Sequence, residues 1–214
     1  MGEMKEVRCP ECGAAIRFEF QATLCADREP EAAKALRRGG LFSVKCGGCG
    51  FQSTIRYPML YTDLAHRAII RCTATDDEEV LRMTAGEVRK TAEAFGGAAL
   101  RHRIVTDPED LREKAEIFHA GLDDRHVEIM KPFVMQQLRE AKPDLPVAYL
   151  RFHEADGGDV FTAYDAGGSP LGSFPFNRRA YEEGIVPNMP LGPEDEVLFV
   201  SAAWTADYFS RRAG

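Results

Sequence analysis

The sequence has one tryptophan and five histidines among 214 residues, and no long apolar run. A membrane-spanning helix needs about 20 consecutive apolar residues, and the longest apolar stretches fall far short of that. Positive charge is also in deficit. Lys and Arg total 27 against 34 Asp and Glu, a formal charge of -7. That balance is a poor electrostatic match for nucleic acid overall. Arg37-Arg38, Arg101-His102-Arg103 and Arg178-Arg179 are short basic clusters with no basic domain around them. There is no G-x-x-x-x-G-K-[ST], G-x-G-x-x-G, H-E-x-x-H or G-x-S-x-G, and no internal repeat or low-complexity tract. The first residues, Met1-Gly2-Glu3-Met4-Lys5-Glu6, carry no apolar h-region, and Glu6 replaces the Ser or Thr of a myristoylation site. The expectation is a cytoplasmic protein without a membrane partner.

What is present is an ordinary globular composition, 44% apolar and 29% charged. Six cysteines stand out. In a reducing compartment paired cysteines favour metal or redox chemistry over disulfides. Four of them form two matching pairs, Cys9-Pro10-Glu11-Cys12-Gly13 and Cys46-Gly47-Gly48-Cys49-Gly50, separated by 33 residues. Two residues between cysteines let one tight turn aim both sulfurs at one ion, and a following Gly accepts the positive φ of such a turn. Two turns complete a tetrahedron with Zn–S distances of about 2.3 Å. The reading is one structural Zn2+ held by Cys9, Cys12, Cys46 and Cys49, in a shell too full for a catalytic ion. Iron also fits four thiolates, and the residues do not choose between the two. A redox dithiol needs only one such pair. The gap exceeds the usual spacing of roughly 15–20 residues, and an Ala-rich helix at 30–38 accounts for the excess as an insertion at the hairpin tip. Arg8, Arg17, Lys45 and Arg56 lie close enough in sequence to screen the site or to be plain solvated faces. Cys25 and Cys72 stand outside the pattern, Cys72 as a small core residue.

Ile16, Phe18 and Phe20 alternate as one strand face; Phe42 with Val44, and Phe51 through Tyr57, flank the second pair. Pro58 ends that strand. Further on, 66–73 and 100–105 read as strands. Between them a helix opens at Asp76-Asp77-Glu78-Glu79, with Val80, Leu81, Val88, Ala92 and Phe95 as its apolar face and Gly96-Gly97 as its end. Asp107-Pro108 starts another helix, lined by Leu111, Ala115 and Phe118, and Gly121 breaks it. A second runs from about Asp123 to Ala141 with Pro132 inside, where a kink is expected. Lys142 to Pro146 is the candidate linker. Beyond it, 147–152, 160–164 and 171–176 read as strands, Asn177 caps a short helix, 196–200 is a last strand and 202–212 a terminal helix. The expectation is an α+β protein: a zinc ribbon with a helical insertion, a helical middle region and a small β-rich C-terminal part, divided as 1–142 and 143–214.

The cysteine pairs, with Tyr57-Pro58-Met59-Leu60-Tyr61-Thr62-Asp63, Glu113-Lys114-Ala115-Glu116-Ile117-Phe118 and Gly121-Leu122-Asp123-Asp124-Arg125, resemble the CpXC family of bacterial proteins over roughly the first 140 residues. Gly47 stands where the family's name puts Pro. The resemblance implies the metal site and brings no substrate with it.

Three functions follow as expectations. The first is a non-catalytic binding or regulatory module, with a protein partner or a second copy as its ligand. The second is a nucleic-acid-binding ribbon using Arg56, Arg67 and Arg71, disfavoured by the net charge. The third is an enzyme using His119, Asp123 or His126 at the corner between two helices, where Asp124 and Glu128 also crowd. The simpler account of that corner is a helix cap, a Gly121 stop and solvent-facing histidines, so no catalytic residue is assigned. Tyr57, Tyr61 and Asp63 either line a pocket or pack. His153-Glu154, before a Gly-rich turn, is expected to be exposed.

Overall fold

A computed structural model describes residues 3–94 and 100–213. The described residues form a mixed α+β protein with four small sheets. The chain divides into two compact units, Met1–Arg112 and Glu113–Gly214. The boundary at 142/143 expected from sequence falls inside the second unit.

The first unit opens with an antiparallel hairpin, β1 (Glu3–Arg8) and β2 (Ala15–Phe20), in register from Glu3↔Phe20 to Arg8↔Ala15. The alternation holds: Ile16 is buried, Phe18 and Phe20 half-buried, and Arg17 and Glu19 exposed. A second hairpin pairs β4 (Ser43–Lys45) with β5 (Gln52–Thr54). Between the hairpins lie β3 (Thr23–Cys25) and α1 (Pro30–Arg37). The segment between the cysteine pairs is therefore more than a helical insertion. Its strand β3 is built into a four-stranded sheet.

That sheet has the order β3-β6-β7-β8, with β6 Met59–Asp63, β7 Ala68–Cys72 and β8 Arg101–Val105. β3–β6 and β7–β8 are parallel, and β6–β7 is antiparallel. Leu24, Tyr61, Ile70 and Arg103 form one row across it, each at most 1% exposed. Helix α1 buries Ala33 and Leu36, and Arg37 O accepts from Arg112 Nε at 2.8 Å. Cys72 is buried, as a core residue should be. Helix α2 (Glu78–Ala94) buries Thr84 and Val88 and leaves Val80 exposed. Phe95, Gly96-Gly97 and the side chain of Ala92 lie outside the described residues.

Helix α3 (Pro108–His119) carries the unit boundary. Asp107 caps it by accepting from Glu109 N at 2.8 Å. In the second unit, α3 from Glu113 to Phe118 and the first two turns of α4 (Asp124–Ala141) are buried apart from the half-buried Arg125, charged residues included. The charges are paired, as burial demands. Lys131 Nζ lies 2.6 Å from Glu128 and 2.8 Å from Glu113, and Lys114 Nζ lies 3.1 Å from Asp124. Glu113 also accepts from Phe152 N at 2.6 Å, tying α3 to an edge strand. Its carboxyl is held below the usual range: burial alone would raise it, and Lys131 and Arg151 outweigh burial. Pro132 sits inside α4, where it leaves one helical hydrogen bond unmade.

Strands β9 (Tyr149–His153), β10 (Val160–Tyr164) and β11 (Pro170–Pro175) form an antiparallel sheet in the order β11-β10-β9. Phe152, Phe161 and Phe176 pack edge to face on it. Asn177 caps the next turn by accepting from Ala180 N at 2.9 Å; the turn is π-helical over Ala180–Ile185 and runs into α5, Val186–Asn188. The last strand expected at 196–200 does not form. Val200 instead joins Ile129, Trp204 and Tyr208 in a core cluster, with Val197 packed against it. Helix α6 (Ala202–Arg212) then closes the unit.

Candidate metal centre

Each cysteine pair sits in a turn with the same backbone wiring. In the first, Cys9 N donates to Ala14 O and Gly13 N to Cys9 O, both at 2.9 Å. In the second, Cys46 N donates to Phe51 O at 2.8 Å and Gly50 N to Cys46 O at 2.9 Å. The closing glycines have φ of 72° and 77°, a region that costs an L side chain about 1–2 kcal/mol. Gly48 is favoured for a different reason, the closeness of its neighbours. A Cβ there would lie 3.5 Å from Cys12 Sγ and 3.3 Å from Ala14 Cβ.

The two turns bring four sulfurs together, all within 4.8 Å of one another. Cys9 and Cys49 are 3.6 Å apart, and Cys12 and Cys46 are 3.5 Å apart. A tetrahedron of Zn–S bonds at about 2.3 Å has edges of about 3.8 Å, so the donor set and its spacing fit a four-thiolate ion. Cys9 and Cys46 are buried against Ile16, Ala14, Val44 and Phe51, whereas Cys12 and Cys49 face solvent. The backbone amides around the four thiols favour their thiolates unevenly. The Cys49 and Gly48 amides pull Cys46 down to about 6. Cys49 is pushed up to about 12: the Phe51 amide lowers it, but the neighbouring Cys12, desolvation and the other two thiols prevail. A cation entering the cluster displaces thiol protons, which couples its affinity to pH.

Beneath the centre, Tyr57 is packing rather than a pocket wall. It is 5% exposed, with ring centroids 4.8 Å from both Phe20 and Phe42. Tyr61 is fully buried and donates to Asp63 at 3.2 Å. Asp63 also meets His66 Nδ1 at 2.8 Å, a partner the sequence reading did not anticipate. Of the cations expected near the site, Arg17 pairs with Glu6, Arg56 lies 2.6 Å from Asp107, and Arg8 donates to Gly13 O at 3.3 Å.

The corner at His119, Asp123 and His126 does not converge. His119 pairs with Glu154. Asp123 caps α4 and grips Arg125 at 2.7 Å. Burial would raise Asp123, but the Arg125 guanidinium holds it low. His126 is buried, contrary to the expectation of a solvent-facing ring, and its Nε2 lies 3.0 Å from Met189 O. His153 is likewise buried rather than exposed. It bridges Glu116 and Tyr164, at 2.9 Å and 3.1 Å. Nothing in the local sequence announces that bridge, because its members lie 37 and 11 residues apart.

Fold and centre together define an α+β protein with a four-cysteine cluster compatible with a metal ion. A family profile described as CpXC protein matches residues 7–131, more than half of the chain, and the chain belongs to that family. No curated protein and no solved structure matches it. Among the described residues no helix is long and apolar enough to cross a membrane.

Proposed function

We propose that this chain is a non-catalytic binding or regulatory module whose two hairpins form a zinc ribbon, with one structural Zn2+ on Cys9, Cys12, Cys46 and Cys49. The observation that carries the reading is the convergence of two identically wired turns on one point, four sulfurs within 4.8 Å. Four thiolates fill a tetrahedral shell and leave no position for substrate. The module works in the cytoplasm, on this reading, through a protein partner or a second copy of itself. A nucleic-acid role gains no support: Arg56 is engaged with Asp107, and the chain carries net negative charge.

Elemental analysis of the native protein tests the centre. One zinc per chain is expected, falling to well below half on Cys12→Ser or Cys46→Ser. Full occupancy in both variants, iron in place of zinc, or no metal at all in the native protein overturns it.

A further inference from the structure

The second unit holds a chain of three hydrogen-bonded side chains, Glu116, His153 and Tyr164. The Glu116 carboxylate, fully buried on α3, meets His153 Nδ1 at 2.9 Å. On its other side His153 Nε2 meets the Tyr164 hydroxyl at 3.1 Å. This is the order of an orienting carboxylate, a base and a hydroxyl nucleophile, each within hydrogen-bond reach of the next. The tautomer follows from the partners. With Nδ1–H donating to Glu116, Nε2 presents its lone pair to the phenol.

The sheet aims the tyrosine. Tyr149, Arg151 and His153 of β9 share one face with Thr162 and Tyr164 of β10 by register, opposite the buried face of Leu150, Phe152, Phe161 and Ala163. The β10–β11 register shifts between Ala163 and Tyr164, and such bulges re-aim a side chain. Tyr164 remains partly exposed and stacks flat on Tyr149, with ring centroids 5.2 Å apart and planes 7° apart. Arg151, 5.5 Å from the Tyr149 ring, is shared with Glu113 through one guanidinium nitrogen at 3.8 Å, and its planar fork has further N–H groups that suit phosphoryl oxygens.

We propose that Tyr164 is a stoichiometric acceptor for a phosphoryl-type electrophile, marked once and not turned over, with His153 as its base and Glu116 as the residue that positions His153. In the step, the phenolic oxygen forms a bond to phosphorus and the leaving group departs with its electron pair. The phenolic proton passes to His153 Nε2, and the resulting imidazolium is stabilised by Glu116.

Tyr149 supplies the comparison, being the stacked neighbour and likewise partly buried. The full-length protein is treated with a dialkyl fluorophosphate, which phosphorylates a phenol and releases fluoride, and labelling of each tyrosine is timed by peptide mass spectrometry. Tyr164 is expected to react at least about a hundredfold faster than Tyr149, the lower edge of what a positioned base provides. His153→Gln is expected to bring the two rates together. Glu116→Gln is expected to slow Tyr164 several-fold and leave Tyr149 unchanged, whereas general loosening of the fold would move both. Equal rates in the wild-type protein, a comparison that needs no variant, overturn the proposal. So does a rate ratio that both substitutions leave untouched.

Discussion

At the residue scale the closing glycines of the two turns are the most exacting positions. A Cβ on Gly13 or Gly50 would touch nothing within 4 Å, so the whole cost of alanine there is the positive φ. Gly50→Ala is expected to destabilise the folded protein by about 1–2 kcal/mol and, on the proposed zinc reading, to leave its metal content unchanged, checked by denaturant titration alongside elemental analysis. Loss of the metal instead would mean that the turn reorganises. This is also the scale at which the sequence was most legible. A pair of Cys-x-x-Cys-Gly stretches states local geometry, since each turn is made of consecutive residues. His153 was misread for the opposite reason. Its neighbours in sequence, a strand and a Gly-rich turn, argue for exposure, and only Glu116 on a distant helix makes its burial acceptable.

At the element scale, legibility tracked length and caps. Helix α4 was readable because Asp123 caps it where its apolar stripe begins, whereas the cap of α6, Ser201, is seen only in the structure. The three-residue strand β3 was not readable, because three residues carry no periodicity. The strand expected at 196–200 failed because β character is settled by a pairing partner, and Val200 found a helix cluster instead. The helix beside β3 is expected to matter as core. Leu36 is 1% exposed, so Leu36→Ala should cost about 2–5 kcal/mol; a loss below about 0.5 kcal/mol in a denaturant titration would show α1 to be a dispensable insertion. Helix α6 is anchored differently. Asp195 is fully buried and accepts from Arg211 at 2.8 Å, Arg212 at 2.7 Å and Gly192 N at 2.9 Å. Burial would raise its carboxyl, but the Gly192 amide and the two guanidiniums hold it below the ordinary value. A depressed carboxyl stabilises the fold above its unfolded value of about 3.9, and that contribution fades as pH falls through the folded value. The unfolding curve of Asp195→Asn is therefore expected to depend less on pH below about 4 than that of the wild type, as followed by Trp204 emission. Identical pH dependence would remove Asp195 from the account.

At the scale of the whole molecule, the two units call for separate reporters. The single tryptophan, Trp204, packs with Ile129, Val200 and Tyr208, all within the second unit. On the proposed zinc reading, chelation is expected to strip hydrogen-exchange protection from β1, β2, β4 and β5, because the apolar cluster around Cys9 and Cys46 is small. Trp204 emission should not shift. Protection unchanged after complete metal removal would mean that the hairpins stand on packing alone, with Tyr57 and its phenylalanine neighbours as the reason.

The threading of the first unit has a consequence for how it folds. Two overlapping loops close in this unit, one where the two cysteine turns meet and one where β3, inside the first loop, runs parallel to β6 beyond it. Loop closure costs entropy that grows with the logarithm of the span. An ion gripping both turns shortens the effective loop that β3 must close to find β6. Parallel pairing, ordinarily a late and slow event, then starts from a somewhat shorter loop. The ion would thus act on the rate at which the sheet assembles as well as on the hairpins it touches.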